Sequence, residues 1–181
     1  MAIDSSKRRP AAAIVGASVE VRGECSGRVT DVILDPALRR VLGYELELTG
    51  GSTAFVPSAV ARVTARGTLV LTTPGGLLDG GELHYYRTVG IRASELRGAP
   101  VQNGRATVGT LHEVGLEAHH CLSLTFERAD GSRWTIRREA LSIGSGGSGG
   151  VSVRTTPETA AASRVWNPDG AGIPIRALGR D

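Results

Sequence analysis

One stretch of this sequence occurs twice. Gly16 through Asp35 reads GASVEVRGECSGRVTDVILD, and Gly98 through Glu117 reads GAPVQNGRATVGTLHEVGLE. Gly16 and Gly98 are 82 residues apart (98 − 16 = 82), as are Gly27 and Gly109 (109 − 27 = 82), so the copies register without a gap. A duplication within 181 residues points to two small units rather than one large domain. Each unit of about sixty residues is near the lower limit for a domain with its own core. The copies are therefore expected to share an interface or to lean on a partner.

Within the first copy, short runs of β-prone residues alternate with turn residues. Val19–Arg22 and Arg28–Leu34 flank a turn at Gly23–Gly27, and Asp35–Arg40 is a polar turn with Pro36 near its start. Val41–Leu48 alternates: Leu42, Tyr44, Leu46 and Leu48 share one face, Gly43, Glu45 and Glu47 the other, which is the pattern of a half-buried strand. Gly50-Gly51-Ser52 turns into Thr53–Val56, which Pro57 ends because it cannot donate to a ladder. Val60–Ala65, a turn at Arg66-Gly67 and Thr68–Thr73 complete the unit.

The second copy repeats this order with small deletions. Leu122, Leu124 and Phe126 stand at Leu42, Tyr44 and Leu46, and Trp134 and Ile136 stand at Ala54 and Val56. Val151–Pro157 echoes Leu69–Pro74, so the glycine–serine run at 144–150 reads as a hairpin tip rather than a linker. Val29 has the wrong parity to share a face with Val32 and Leu34, and Leu111 breaks parity with Val114 and Leu116 in the same way. A defect carried by both copies predicts a β-bulge at Thr30-Asp31 and at His112-Glu113, which would bend the strand as a small barrel requires.

The remaining segments divide the chain as follows. Residues 1–13 are expected to be a disordered tail, 14–74 the first unit, 75–90 a connector, 91–156 the second unit and 157–181 a C-terminal extension. The connector holds Tyr85-Tyr86, expected to pack between the two units. Ala93–Arg97 is expected to form one helical turn with Ser94 near its cap, and Glu158–Arg164 a short helix.

Composition narrows the function classes. A net charge of +3 with a single lysine and scattered arginines gives no basic stripe of the kind nucleic acid requires. Lys7-Arg8-Arg9 reads as a solvated tail. Cys25 and Cys121 fall at non-equivalent positions and form no CxxC pair, so both are expected to be reduced. No apolar run suits a signal peptide or a membrane span, and a cytoplasmic protein is expected.

The Gly-Ala-x-Val entry, the strand ending Asp31-Val32-Ile33-Leu34-Asp35, the proline turn, Val41-Leu42-Gly43-Tyr44-Glu45-Leu46 and Phe55-Val56-Pro57-x-x-Val60 together resemble the PRC-barrel family. That family is named for the cytoplasmic domain of the photosynthetic reaction-centre H subunit, and its fold also forms the C-terminal half of a ribosome maturation factor. Residues 14–74 carry most of the likeness; in the second copy it is clearest over Ile91–Val101. The resemblance implies an all-β chain of two tandem, SH3-like small barrels with a short helical connector and a C-terminal extension. It also implies protein–protein contact and assembly, and it brings no shared catalytic residues.

Candidate chemistry is sparse. His112, Glu113, Glu117, His119, His120 and Cys121 lie within ten residues and are all metal-ligating types. However, His119-His120 replaces Arg39-Arg40 in a turn, and neighbouring strand residues point apart, so a structural role is expected and no metal. The acids Asp31, Asp35, Glu113 and Glu117 recur at matching positions and are expected to satisfy local backbone donors. Cys25 has no adjacent base, and no phosphate-binding loop or nucleophile elbow is present. No cofactor and no enzymatic activity are expected. Tyr85, Tyr86 and Trp166 remain as interface candidates. The expected function is a non-catalytic interaction module with a protein partner, possible self-association and, as the alternative, an RNA- or ribosome-associated role.

Overall fold

A computed structural model describes residues 8–103, 106–145 and 151–155. The fold is all-β with curled sheets. In the first copy β1 (Arg9–Pro10), β2 (Ser18–Val21), β3 (Glu24–Leu34), β4 (Val41–Leu48), β5 (Thr53–Pro57), β6 (Ala61–Val63) and β7 (Leu69–Leu71) follow one another. Then come α1 (Gly80–Val89), β8 (Ile91–Arg92) and α2 (Ala93–Leu96). The second copy continues with β9 (Pro100–Asn103), β10 (Ala106–Glu117), β11 (His120–Glu127), β12 (Arg133–Arg137), β13 (Leu141–Ser145) and β14 (Val151–Thr155). Among the described residues no helix is long and apolar enough to cross a membrane.

The first sheet runs β5-β4-β3-β2-β7-β6, the second β1-β10-β11-β12 with β9 also on β10. β13 and β14 pair as a hairpin on either side of the glycine–serine run, whose residues 146–150 lie outside the described ones. The expected bulge is present in both copies. Pairing slips between Val29 and Asp31 on β3 and between Leu111 and Glu113 on β10. A second slip, between Ile33 and Leu34 and between Gly115 and Leu116, has no parity signature. It makes Leu42 the extra residue of β4, because Leu34 pairs with Val41 and Ile33 with Gly43. Val41, not Leu42, therefore joins Tyr44 and Leu46 in the main core, and Leu42 packs on the other face with Ile33 and Phe55. This corrects the simple alternation read from the sequence.

The tail expected to be disordered is folded from residue 8 onward. β1 pairs with β10 of the other copy, Arg9 opposite Leu116 and Pro10 opposite Gly115. Ala11–Ala13 form a 3-10 turn, and Ala11 and Ile14 are buried. The same arrangement recurs before the second copy, where β8 pairs with β3, Ile91 opposite Leu34 and Arg92 opposite Ile33. Every position here differs from its counterpart by 82 (91 − 9, 116 − 34), so each copy is completed by the strand that leads into the other.

The copies also meet at their turns. Val41 N–H donates to the His119 carbonyl (2.8 Å) and Cys121 N–H donates to the Arg39 carbonyl (2.9 Å). Arg40 bridges His120 between them. These two bonds exchange under the shift of 80 that relates the copies here (119 − 39, 121 − 41), which places a pseudo-twofold axis at Arg40 and His120. One cluster of buried side chains runs through both copies, from Val32, Leu34 and Tyr44 to Leu111, Leu124 and Phe126.

Candidate functional site

Helix α1 follows the first copy, and the equivalent positions after the second lie outside the described residues. Asp79 begins the helix. The carboxylate accepts from Gly81 N–H (2.7 Å), and hydrogen bonds from Glu82 and Gly81 hold its pKa below the ordinary value. Gly90 ends it, donating to the Tyr86 carbonyl; a Cβ there would meet Ile33 Cγ2 at 2.4 Å.

The inward face of α1 lies on the outer side of the first sheet. Leu83 is buried with Ile33 and Phe55, and the Tyr86 ring stacks on Phe55 at 4.0 Å between centroids, 22° from parallel. Arg87 reaches past them and grips Glu45, which is only 6% exposed, through Nε (3.1 Å) and Nη2. A carboxylate so buried needs a partner for its oxygens, and the guanidinium supplies it. Gly43 makes room for the Phe55 ring, whose Cζ would be 2.2 Å from a Cβ at that position. Leu78 exchanges backbone bonds with Phe55 and so closes the edge of β5 (2.8 and 2.9 Å).

The outward face is open and mixed, with Glu82, His84 and Thr88 exposed around two apolar residues. Tyr85 is 61% exposed and Val89 37%, and at i and i+4 they adjoin on one side of the helix. Tyr85 meets Tyr86 edge to face, 5.5 Å between centroids. The pair expected to pack between the two copies is thus divided: Tyr86 anchors the helix to the first copy, and Tyr85 faces solvent. Trp166 lies outside the described residues.

The corresponding face of the second copy is polar. Where the first has Ile33, Gly43, Glu45 and Phe55, the second has Gly115, Ser123, Thr125 and Thr135. Arg8 occupies the space above Gly115, where a Cβ would meet its Nε at 2.4 Å. Its Nη2 lies 3.4 Å from Thr125 Oγ1 and 3.9 Å from the Glu113 carboxylate.

The candidate metal ligands do not converge. His112 Nδ1 lies 3.3 Å from the Glu127 carboxylate, His119 Nδ1 3.4 Å from the Tyr44 hydroxyl, and His120 bridges Arg40. No three metal-ligating side chains gather among the described residues. Burial, reinforced by His120, lowers the His119 pKa; burial pushes the Tyr44 hydroxyl up to about 12 and the Cys121 thiol up to about 11. Cys25 is exposed and, like Cys121, free.

The acids serve the fold. Asp31 accepts from Val32 N–H (2.8 Å), Ser94 N–H (3.3 Å) and the Ser94 hydroxyl. Ser94 therefore does not cap α2, whose N-cap is Arg92; its hydroxyl ties the leader of the second copy to the first. Asp35 accepts from Arg40 N–H (3.0 Å) across its turn. Arg138, buried in the second copy, spans the seam and donates to the carbonyls of Ala37 and Leu38 as well as its own Leu141. Of these, the sequence singled out Tyr85, Tyr86 and the acids but missed Val89, Arg87 and Arg138. Val89 could have been found from its spacing of four from Tyr85, once 80–89 was taken as a helix. Compared with known proteins, the sequence matches no family model and none of the curated proteins.

Proposed function

We propose that each copy is a small barrel of the kind the PRC-barrel resemblance implies, and that the chain is a non-catalytic protein-interaction module acting through the outer side of α1. The observation that carries this reading is Tyr85, 61% exposed beside Val89 on a helix whose other face is locked down. Its backing by the Tyr86–Phe55 stack and the Arg87–Glu45 pair means that little order remains to be imposed on binding. An aromatic anchor on a rigid support suits a protein partner offering an apolar pocket. The non-catalytic part of the reading draws on Asp31 and Asp35, whose oxygens accept from backbone N–H groups, and on a Cys121 thiol too weakly acidic to form a nucleophile near neutrality.

The test is affinity capture from native lysate with the full chain and with Tyr85→Ala, each repeated at raised salt and after nuclease. A protein held by the parent chain under all conditions and lost with Y85A, at unchanged thermal stability, is the expected result. Capture indifferent to Y85A, or only ribosomal material released by nuclease or salt, would overturn it, the latter in favour of an RNA-linked role.

A further inference from the structure

We infer that this chain is a strand-exchanged dimer carried on one polypeptide, so that the surface each repeat unit uses at the seam is one that fits a second copy of the unit. The inference concerns the partner of the seam and is independent of what binds α1.

Three sets of contacts obey one twofold relation. The leader strands cross: Arg9–Pro10 closes β10 at Leu116 and Gly115, while Ile91–Arg92 closes β3 at Leu34 and Ile33. The helical turns behind them cross too, Ala11–Ala13 packing on β10, α2 packing on β3, and the two touching each other. Finally, the turns trade backbone bonds across the axis at Arg40 and His120. Each contact has its image in the other copy, as self-complementary surfaces do in a C2 dimer. Two independently folded neighbours joined by a linker have no reason to meet this way.

The exchange is also needed energetically. Without its foreign leader, each long strand would present unpaired backbone groups beside β2 or β9. The main core would lose Ala11 and Ile14 from one side of the axis and Leu96 from the other. Both copies keep a glycine at the pivot after the leader, Gly16 at φ +86° and Gly98 at φ +83°, a conformation L side chains rarely adopt. There the chain turns back from the foreign sheet into its own.

Two measurements on the full chain test this. In the first, a protease site is inserted at Gly75, an exposed residue with open space around it, and the chain is cut. The expected product is a folded one-to-one complex of the fragments that survives size exclusion even when Tyr86→Ala and Arg87→Ala release α1 from the first copy; two separate folded monomers would overturn the inference. In the second, residues 1–10 are deleted and amide exchange is followed residue by residue. Protection is expected to fall by about tenfold or more at residues 114–117, far away in sequence, and to hold at Ile33 and Leu34. Unchanged exchange at 114–117, or loss confined to the first copy, would overturn it. If the deletion unfolds the chain, the cut complex decides alone.

Discussion

Replacing Arg138 with Met tests how firmly the seam is held. The side chain is 9% exposed, and among the described residues its guanidinium is bound by carbonyls: Ala37 and Leu38 of the first copy and Leu141 of the second, at 2.6–2.9 Å for the bonds of ordinary length. Burial is the main cause that lowers its pKa, yet an arginine stays charged at neutral pH. Methionine keeps most of the stem and removes the charge and every donor. Each buried carbonyl left without a partner costs about 1–3 kcal/mol. Against this, the several kcal/mol spent on stripping water from the guanidinium are recovered. With about 2 kcal/mol for each of the three carbonyls and about 2–4 kcal/mol recovered, the balance is a loss of about 2–4 kcal/mol, which falls on the junction between the copies. In urea unfolding at pH 7 the midpoint should drop by about 1–2 M with an unchanged slope, given a slope of about 2 kcal/mol/M for a chain of this size. A loss below about 1 kcal/mol, or a gain, would show that desolvation outweighs the three carbonyls and refute the reasoning.

Three further outcomes are expected. Ala118 is exposed and sits at φ +50°, so Ala118→Gly should raise stability by up to about 1 kcal/mol; a drop in thermal midpoint would contradict the strain assigned to it. His119 has a lowered pKa in the fold, so between its folded value and the ordinary 6.5 the unfolded chain binds more protons. Stability should therefore fall as pH drops below about 6.5, and His119→Gln should flatten that part of the curve in pH-dependent denaturation. With a thiol reagent at pH 8, only the exposed Cys25 should react in the native chain and both cysteines in denaturant, because burial holds Cys121 protonated.

How much of this was legible depended on whether a residue's role was local. The bulge at Thr30-Asp31 could be read because it shifts the parity of Val29 against Val32, and the second copy repeats the shift. The slip at Leu42 could not, since an apolar residue looks the same whichever face it takes, and here both faces are covered. A helical connector was expected, but the bounds of α1 were hidden by Gly80-Gly81 at its start and by two tyrosines, which favour strands on their own. Its stability comes from Phe55 and Glu45, which lie well back in the chain. The leaders were invisible as strands: two residues carry no periodicity, and Arg9-Pro10 shares no residue type in register with Ile91-Arg92. Arg138 follows Arg137, and nothing local in the sequence separates the buried arginine from the exposed one; only the folded seam does.

The crossing of the leaders also orders events while the chain is being made. Pro10 is synthesised roughly a hundred residues before Gly115, its partner. At about 5–20 residues per second the wait is about 5–20 s. During it β3 acquires its own foreign leader first, when Ile91–Arg92 emerge, so the first copy can close before the segment at its N-terminal end has anywhere to go. Of the two leaders, the one made first is the last to find its place.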